Sequence, residues 1–347
     1  FCCTHQEYFP MGHISLDDQR MGDSPEARPA TAPIRFARLA LVAGALLLIP
    51  YILMGYLSPK SLLVTYIGKE EAESATDELL KTASCYGKVM ALLCASLMAH
   101  LLLLAPSKDV VLLRWTSFSI SLVNVTGIVT YIVIIVKNWA LGPLMYGDIV
   151  VMAFTSALFL AAFFKLSKVA PTTSAVSTTN ADTRAFRVTL AMSLLCGLPY
   201  MVQMTCAPLP TFAQLYAFAL PAETDVVIAA SWGVALMQFQ HAGTVLPAAL
   251  RCGRDPALYR RLALGTAAVF LLAAAQVGWM VDQGLARREA FKAPVAMQVG
   301  FAGVFVYQFL GLRGERAQKQ KEAGDGGPSG KPPVGRGARG EAPPPAK

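Results

Sequence analysis

RFARLALVAGALLLIPYILMGYLSP, residues 35–59, is matched without a gap by RAFRVTLAMSLLCGLPYMVQMTCAP, residues 184–208. At a constant offset of 149, Arg35 meets Arg184, Arg38 meets Arg187, Leu41 meets Leu190 and Leu46 meets Leu195. Pro50-Tyr51 meets Pro199-Tyr200, and Pro59 meets Pro208. The rarer residues are the ones that match, which makes chance a poor explanation. A period this long marks a duplicated domain rather than a solenoid.

The match continues at an offset of 146. Tyr86-Gly87 meets Trp232-Gly233, Lys108-Asp109 meets Arg254-Asp255, Leu112 meets Leu258 and Arg114 meets Arg260. Each half therefore carries a basic-acidic pair followed by L-x-R in a short turn. Asp is expected to cap the next helix there, with Arg at the membrane interface.

Hydrophobic residues make up 54% of the chain and charged residues 15%. Soluble domains carry about 25% charged residues. The apolar residues fall into blocks of about twenty, the length needed to cross a bilayer core of about 30 Å. In lipid the backbone must satisfy its own hydrogen bonds, so the blocks are helices. The expectation is an all-α integral membrane protein with eight spans: 36–57, 86–105, 112–136, 147–166, 186–206, 226–249, 261–282 and 295–312. The first block is read as a retained span rather than a signal peptide, because its counterpart lies mid-chain.

The domain reading follows from these blocks. Residues 1–34 form a polar tail, and 35–166 the first four-helix unit. Residues 167–183 are a Ser/Thr-rich linker, and 184–312 the second four-helix unit. Residues 313–347 form a basic Gly/Pro-rich tail expected to be disordered. Four spans per half is an even number, so the halves are expected to be parallel repeats rather than an inverted pair.

Charge sets the expected orientation. Of the 30 Lys and Arg, 22 fall on the side that holds both termini and 7 on the other. The positive-inside rule then puts both termini on the cytoplasmic, stromal or matrix face. The basic C-tail has no aromatic residues for base stacking, so nucleic acid is not an expected partner. The bilayer is.

Polar residues inside spans are the candidate site. Gln238, Gln240 and His241 lie together in the sixth span, with Gln238 and His241 three apart on one helix face. Asn124 lies mid-span in the third. Tyr51 and Tyr200 follow the paired prolines Pro50 and Pro199, which are expected to kink their helices by freeing the carbonyls of Leu46 and Leu195. The ordinary reading of such residues is helix–helix hydrogen bonding and interfacial anchoring. Asp148 reads as an N-terminal helix residue near the outer interface. His100 does not align with His241 under the repeat, which argues against a paired-histidine haem or metal site. Neither metal nor cofactor is expected. The seven cysteines form no CxxC, and no nucleotide-binding or hydrolase motif is present.

Several features are shared with the small four-helix membrane proteins of the DoxX-like kind. They are Pro50-Tyr51 and Pro199-Tyr200, the second prolines Pro59 and Pro208, the aromatic-Gly starts Tyr86-Gly87 and Trp232-Gly233, and the short basic turns. Each half resembles that family. The resemblance implies a four-helix bundle and carries over no functional residue.

The leading expectation is a protein that binds or transports an apolar or neutral small molecule between its two repeats. The alternative is a structural or accessory subunit of a larger membrane assembly. A membrane-embedded lipid-modifying enzyme ranks last, because few polar groups converge; no catalytic residue is expected.

Overall fold

The structure is a computed structural model of the chain and describes residues 31–140, 142, 144–169, 181–251 and 256–325. Among these residues every regular element is a helix, and one isolated antiparallel bridge joins Tyr216 to Ala286. In chain order the helices are α1 (Thr31–Leu46), α2 (Ile49–Leu57), α3 (Pro59–Ile67), α4 (Lys69–Glu73), α5 (Asp77–Leu104) and α6 (Val110–Val136). They continue as α7 (Leu144–Ser167), α8 (Ala181–Cys206), α9 (Pro208–Leu215), α10 (Thr224–Arg251), α11 (Pro256–Asp282) and α12 (Arg288–Asp325).

Among the described residues, seven helical stretches are long and apolar enough to cross a membrane. They are α1 with α2, then α5, α6, α7, α8, α11 and α12. The chain is therefore a multi-pass, all-helical membrane protein. The sequence expectation of eight also counts α10, whose Gln238, Gln240 and His241 make it more polar than the rest. Most of residues 1–34, the centre of the 167–183 linker, Arg254-Asp255 and residues 326–347 lie outside the described residues. The backbone of α12 is helical to Asp325, beyond the expected end at 312.

The helix starts follow local chemistry. Asp109 accepts from the backbone N–H groups of Val111 and Leu112 at 2.9 and 3.0 Å, capping α6 as expected. Thr76 caps α5 by accepting from Leu79 at 3.2 Å, with Asp77 and Glu78 in the first turn. The acidic segment after the first span, residues 69–78, is divided between α4 and the start of α5.

The two prolines behave differently. Pro50 is the second residue of α2, after a two-residue turn at Leu47-Leu48 that ends α1. Pro199 sits inside an uninterrupted α8. The short helices α3 and α9 are additions to the sequence reading. Each begins on the second conserved-spacing proline, Pro59 or Pro208, where a missing N–H costs nothing.

The packing centres on α5 and α10. Tyr86 and Ser231 join their hydroxyls at 2.7 Å, and Ser96 meets His241 Nε2 at 2.9 Å. Both pairs are 145 residues apart, so the two helices run parallel and in register over at least ten residues. Helix α6 packs antiparallel on α10: Ser119 donates to the Gly243 carbonyl at 2.6 Å, and Gln240 donates to Asn124 at 3.4 Å. Helix α11 packs antiparallel on α5 in the same manner, with Leu103 against Gly265 and His100 against Thr266. Helix α7 lies along α6, and α12 along α11.

The apolar core forms two layers along the helix axes. One gathers residues such as Leu41, Leu104, Leu112, Phe159, Phe186, Leu258 and Phe305. The other gathers Tyr86, Ile134, Met204, Phe212, Tyr216 and Val234.

Candidate functional site

The site is a cavity of about 100 Å³ lined by α1, α2, α5, α6, α7 and α10. That volume holds a few waters or a small ring, since an engineered cavity of about 150 Å³ holds benzene. Gly44, Leu97, Leu101, Ile120 and Phe159 make one end apolar. Gly44 lets the Phe159 ring lie close: a Cβ on it would come within 3.2 Å of that ring.

The opposite end is polar. Pro50 opens α2 and the next residue, Tyr51, turns its hydroxyl onto Asp148, to whose Oδ1 it donates. Tyr131 from α6 also lines this end. Asp148 is the fifth residue of α7, at the end of its first turn. It thus lies near the helix start, as expected, and Tyr51 holds its carboxylate on the cavity wall.

Along the flank runs a chain of neutral groups. Gln240 Nε2 donates to Asn124 Oδ1 at 3.4 Å, and Asn124 Nδ2 donates to Thr155 at 3.0 Å. The Thr155 hydroxyl in turn donates to the Val151 carbonyl at 2.8 Å. Each buried polar group has a partner here, which is what a low-dielectric interior demands. A ligand with a hydroxyl, amide or carbonyl would exchange with these bonds rather than create orphaned ones.

Of the candidates read from sequence, the structure brings together Tyr51, Asn124 and Gln240 at this cavity. Gln238, His241 and Tyr200 are not among its lining residues. Tyr200 packs with the second apolar layer. His241 belongs to a separate buried node, which corrects the inference drawn from repeat alignment. His100 and His241 lie edge to face, ring centroids 4.8 Å apart, with Nε2 of His241 3.3 Å from Nδ1 of His100.

The carbonyl of Ser96 accepts from His100 Nδ1 at 2.8 Å, which makes Nδ1 the protonated nitrogen. His100 Nε2 then accepts from Thr266 at 3.2 Å, and His241 Nε2 accepts from the Ser96 hydroxyl. The node ties α5, α10 and α11 together. Among the described residues no group of three or more His, Cys, Asp or Glu is placed to hold a metal ion.

Three lining residues had escaped the sequence reading: Tyr131, Thr155 and Asp148 in its inward role. Thr155 carries no sequence signal of its own. Tyr131 and Asp148 do, in retrospect, since a tyrosine and a carboxylate near the ends of adjacent antiparallel spans are natural partners.

At the equivalent positions of the other half the space is filled. At the 146 offset Asn124 corresponds to Phe270, Thr155 to Phe301 and Phe159 to Phe305. Phe270 and Phe301 stack at 5.7 Å, and Phe270 and Phe305 at 6.2 Å. Rings occupy the space that amide and hydroxyl groups leave open in the first half. Asp148 corresponds to Pro294, so Tyr200 lacks the carboxylate available to Tyr51.

No family model, curated protein or solved structure matches the chain.

Proposed function

We propose that the protein is a tandem duplication of a parallel four-helix membrane unit of the DoxX-like kind, and that its first copy binds a small, mostly apolar molecule bearing a hydrogen-bonding group. Several contacts support the duplication. Arg38 and Arg187, at the 149 offset, both donate to carbonyls at the end of the next long helix, Ser107 at 2.8 Å and Ala249 at 2.8 Å. Across the halves α5 packs on α10 and α11, and α10 packs on α5 and α6, as a twofold axis along the membrane normal would require.

The eighth crossing is supported by the ends of α9 and α11. Arg287 N–H donates to the Leu215 carbonyl at 2.8 Å, and Ala217 N–H to the Leu285 carbonyl at 3.0 Å. The segments flanking the α10–α11 pair therefore lie at one face of the membrane. If α11 crosses, α10 must cross as well. At 28 residues and about 1.5 Å per residue, α10 is long enough. Eight crossings and the charge bias put both termini on the cytoplasmic-type face.

The observation that carries the binding reading is the contrast between halves: a partly polar cavity at Asn124, Thr155 and Phe159, against stacked rings at Phe270, Phe301 and Phe305. The ligand would set an apolar body against Phe159 and Leu101, and a hydroxyl or carbonyl against Gln240, Asn124 or Asp148. The test is native mass spectrometry of protein extracted from its own membrane in mild detergent. A co-purifying small molecule lost in Gln240→Leu and retained in His241→Leu is the expected result. Retention in Gln240→Leu would overturn the site assignment. Migration only within a large assembly, with no small molecule released, would favour the accessory-subunit role instead.

A further inference from the structure

Lys88 is the twelfth residue of α5, inside a membrane-spanning stretch. The ion pairs among the described residues are Lys69–Glu73 and Lys292–Glu289, so Lys88 has no carboxylate partner there. Its ammonium stands 3.6 Å from the centroid of the Trp279 ring on α11. One turn earlier on the same face of α11, Gln276 accepts from the Tyr56 hydroxyl at 2.8 Å. A ring face offsets only part of the cost of an ammonium held in a lipid environment, and an anion normally completes the site.

The backbone places these groups together. Gly55 of α2 and Gly87 of α5 touch so closely that a Cβ on Gly55 would run into the Gly87 carbonyl oxygen. The residues that follow, Tyr56 and Lys88, both end on the Gln276–Trp279 strip of α11. Tyr56 and Trp279 are 42% and 41% exposed, on the surface that faces lipid. Leu53 and Leu272 continue the strip deeper along α2 and α11, and both are more than half exposed. At the same register of the other half stand Val234, Thr130, Val133 and Thr205. The cation belongs to one side of the molecule only.

We propose that this strip binds one anionic bilayer lipid. Its phosphate sits between the Lys88 ammonium, the Trp279 indole N–H and the free amide donors of Gln276, and its acyl chains lie over Leu53 and Leu272. The position suits that ligand: Tyr56 and Trp279 are in the last turns of α2 and α11, at the depth where aromatic residues meet headgroups. A lysine stem can lift its charge to phosphate level from there.

The test is native mass spectrometry of the full chain in detergent, titrated with phosphatidylglycerol or with phosphatidylcholine of the same acyl chains. The wild-type chain should retain one phosphatidylglycerol in preference to phosphatidylcholine. Lys88→Ala and Lys88→Gln should lower that retention about tenfold, Lys88→Arg should keep it, and Lys60→Ala should leave it unchanged. Lys88→Gln preserves the length of the side chain and serves if the alanine variant does not survive extraction. Equal retention by wild type and Lys88→Gln, or no preference between the lipids in the wild type, would overturn the site. Displacement of the lipid by millimolar inorganic phosphate would reassign it to a soluble anion.

Discussion

Asn124 donates to Thr155 across 3.0 Å between α6 and α7, and the pair 146 residues on is a stack of two phenylalanines. The same two positions thus hold a polar wall in one half and a plug in the other. Asn124→Phe and Thr155→Phe should transfer the plug to the first half. The expected outcome is loss of the co-purifying molecule in native mass spectrometry. The double variant should melt within a few degrees of wild type, because the rings replace a cavity rather than a packed core.

The tyrosine–carboxylate end of the cavity predicts a graded loss of stability. Tyr51→Phe removes one donor to Asp148 and should cost about 0.6–2 kcal/mol, the range for interhelical hydrogen bonds in membranes and for bonds to charged groups. Asp148→Leu leaves the Tyr51 hydroxyl in place without its acceptor and should cost more. Thermal unfolding in detergent, followed by circular dichroism, ranks the two. The reverse order would mean that Tyr51 is held by something other than the carboxylate.

Gly55 and Gly87 predict a steric failure. Gly55→Ala places a methyl against the Gly87 carbonyl, and overpacking of this kind costs typically about 1–3 kcal/mol. Gly197→Ala, where the added methyl meets nothing within 4 Å, is the matched control and should be neutral. A difference in melting temperature between the two reports the contact directly.

The histidine node should separate structure from binding. His241→Leu strands the Ser96 hydroxyl and removes a side chain that joins α10 to His100, so it should destabilise the protein by about 1–3 kcal/mol. Ligand retention should survive it. Gln240→Leu, one residue away but facing α6, should do the opposite.

Topology is open to cysteine labelling in a background with the seven native cysteines replaced. Asn138→Cys, Ala222→Cys and Gln283→Cys should react from one face of the membrane and Lys168→Cys from the other. Labelling of Gln283→Cys from the face of Lys168→Cys would reduce the crossings to seven.

The apolar blocks and their lengths were readable because the bilayer imposes a length on every span. The α6 cap was readable for a similar reason: Asp109 acts within three residues of itself. Pairings between distant helices were not. His100 and His241 meet at a separation of 141, whereas α5 and α10 align at 145, since residues one turn apart on one helix can reach the same partner. Repeat alignment alone cannot see that. The contact between Asp148 and Tyr51 was not readable, because sequence places a residue along a helix but not around it, and the tyrosine comes from another helix. The short helices α3 and α9 hide below the length at which hydrophobic periodicity speaks; only Ser58-Pro59 and Pro208 announce them.

Helices α5 and α10 meet face to face at a constant spacing of 145, as the two subunits of a homodimer would across their shared axis. In a homodimer every substitution appears twice, so neither a cation nor a plug can be confined to one side. Joining the copies in one polypeptide removes that restriction. On the proposed duplication, Lys88 opposite Val234 and Asn124 opposite Phe270 are differences that a homodimer of identical chains could not hold.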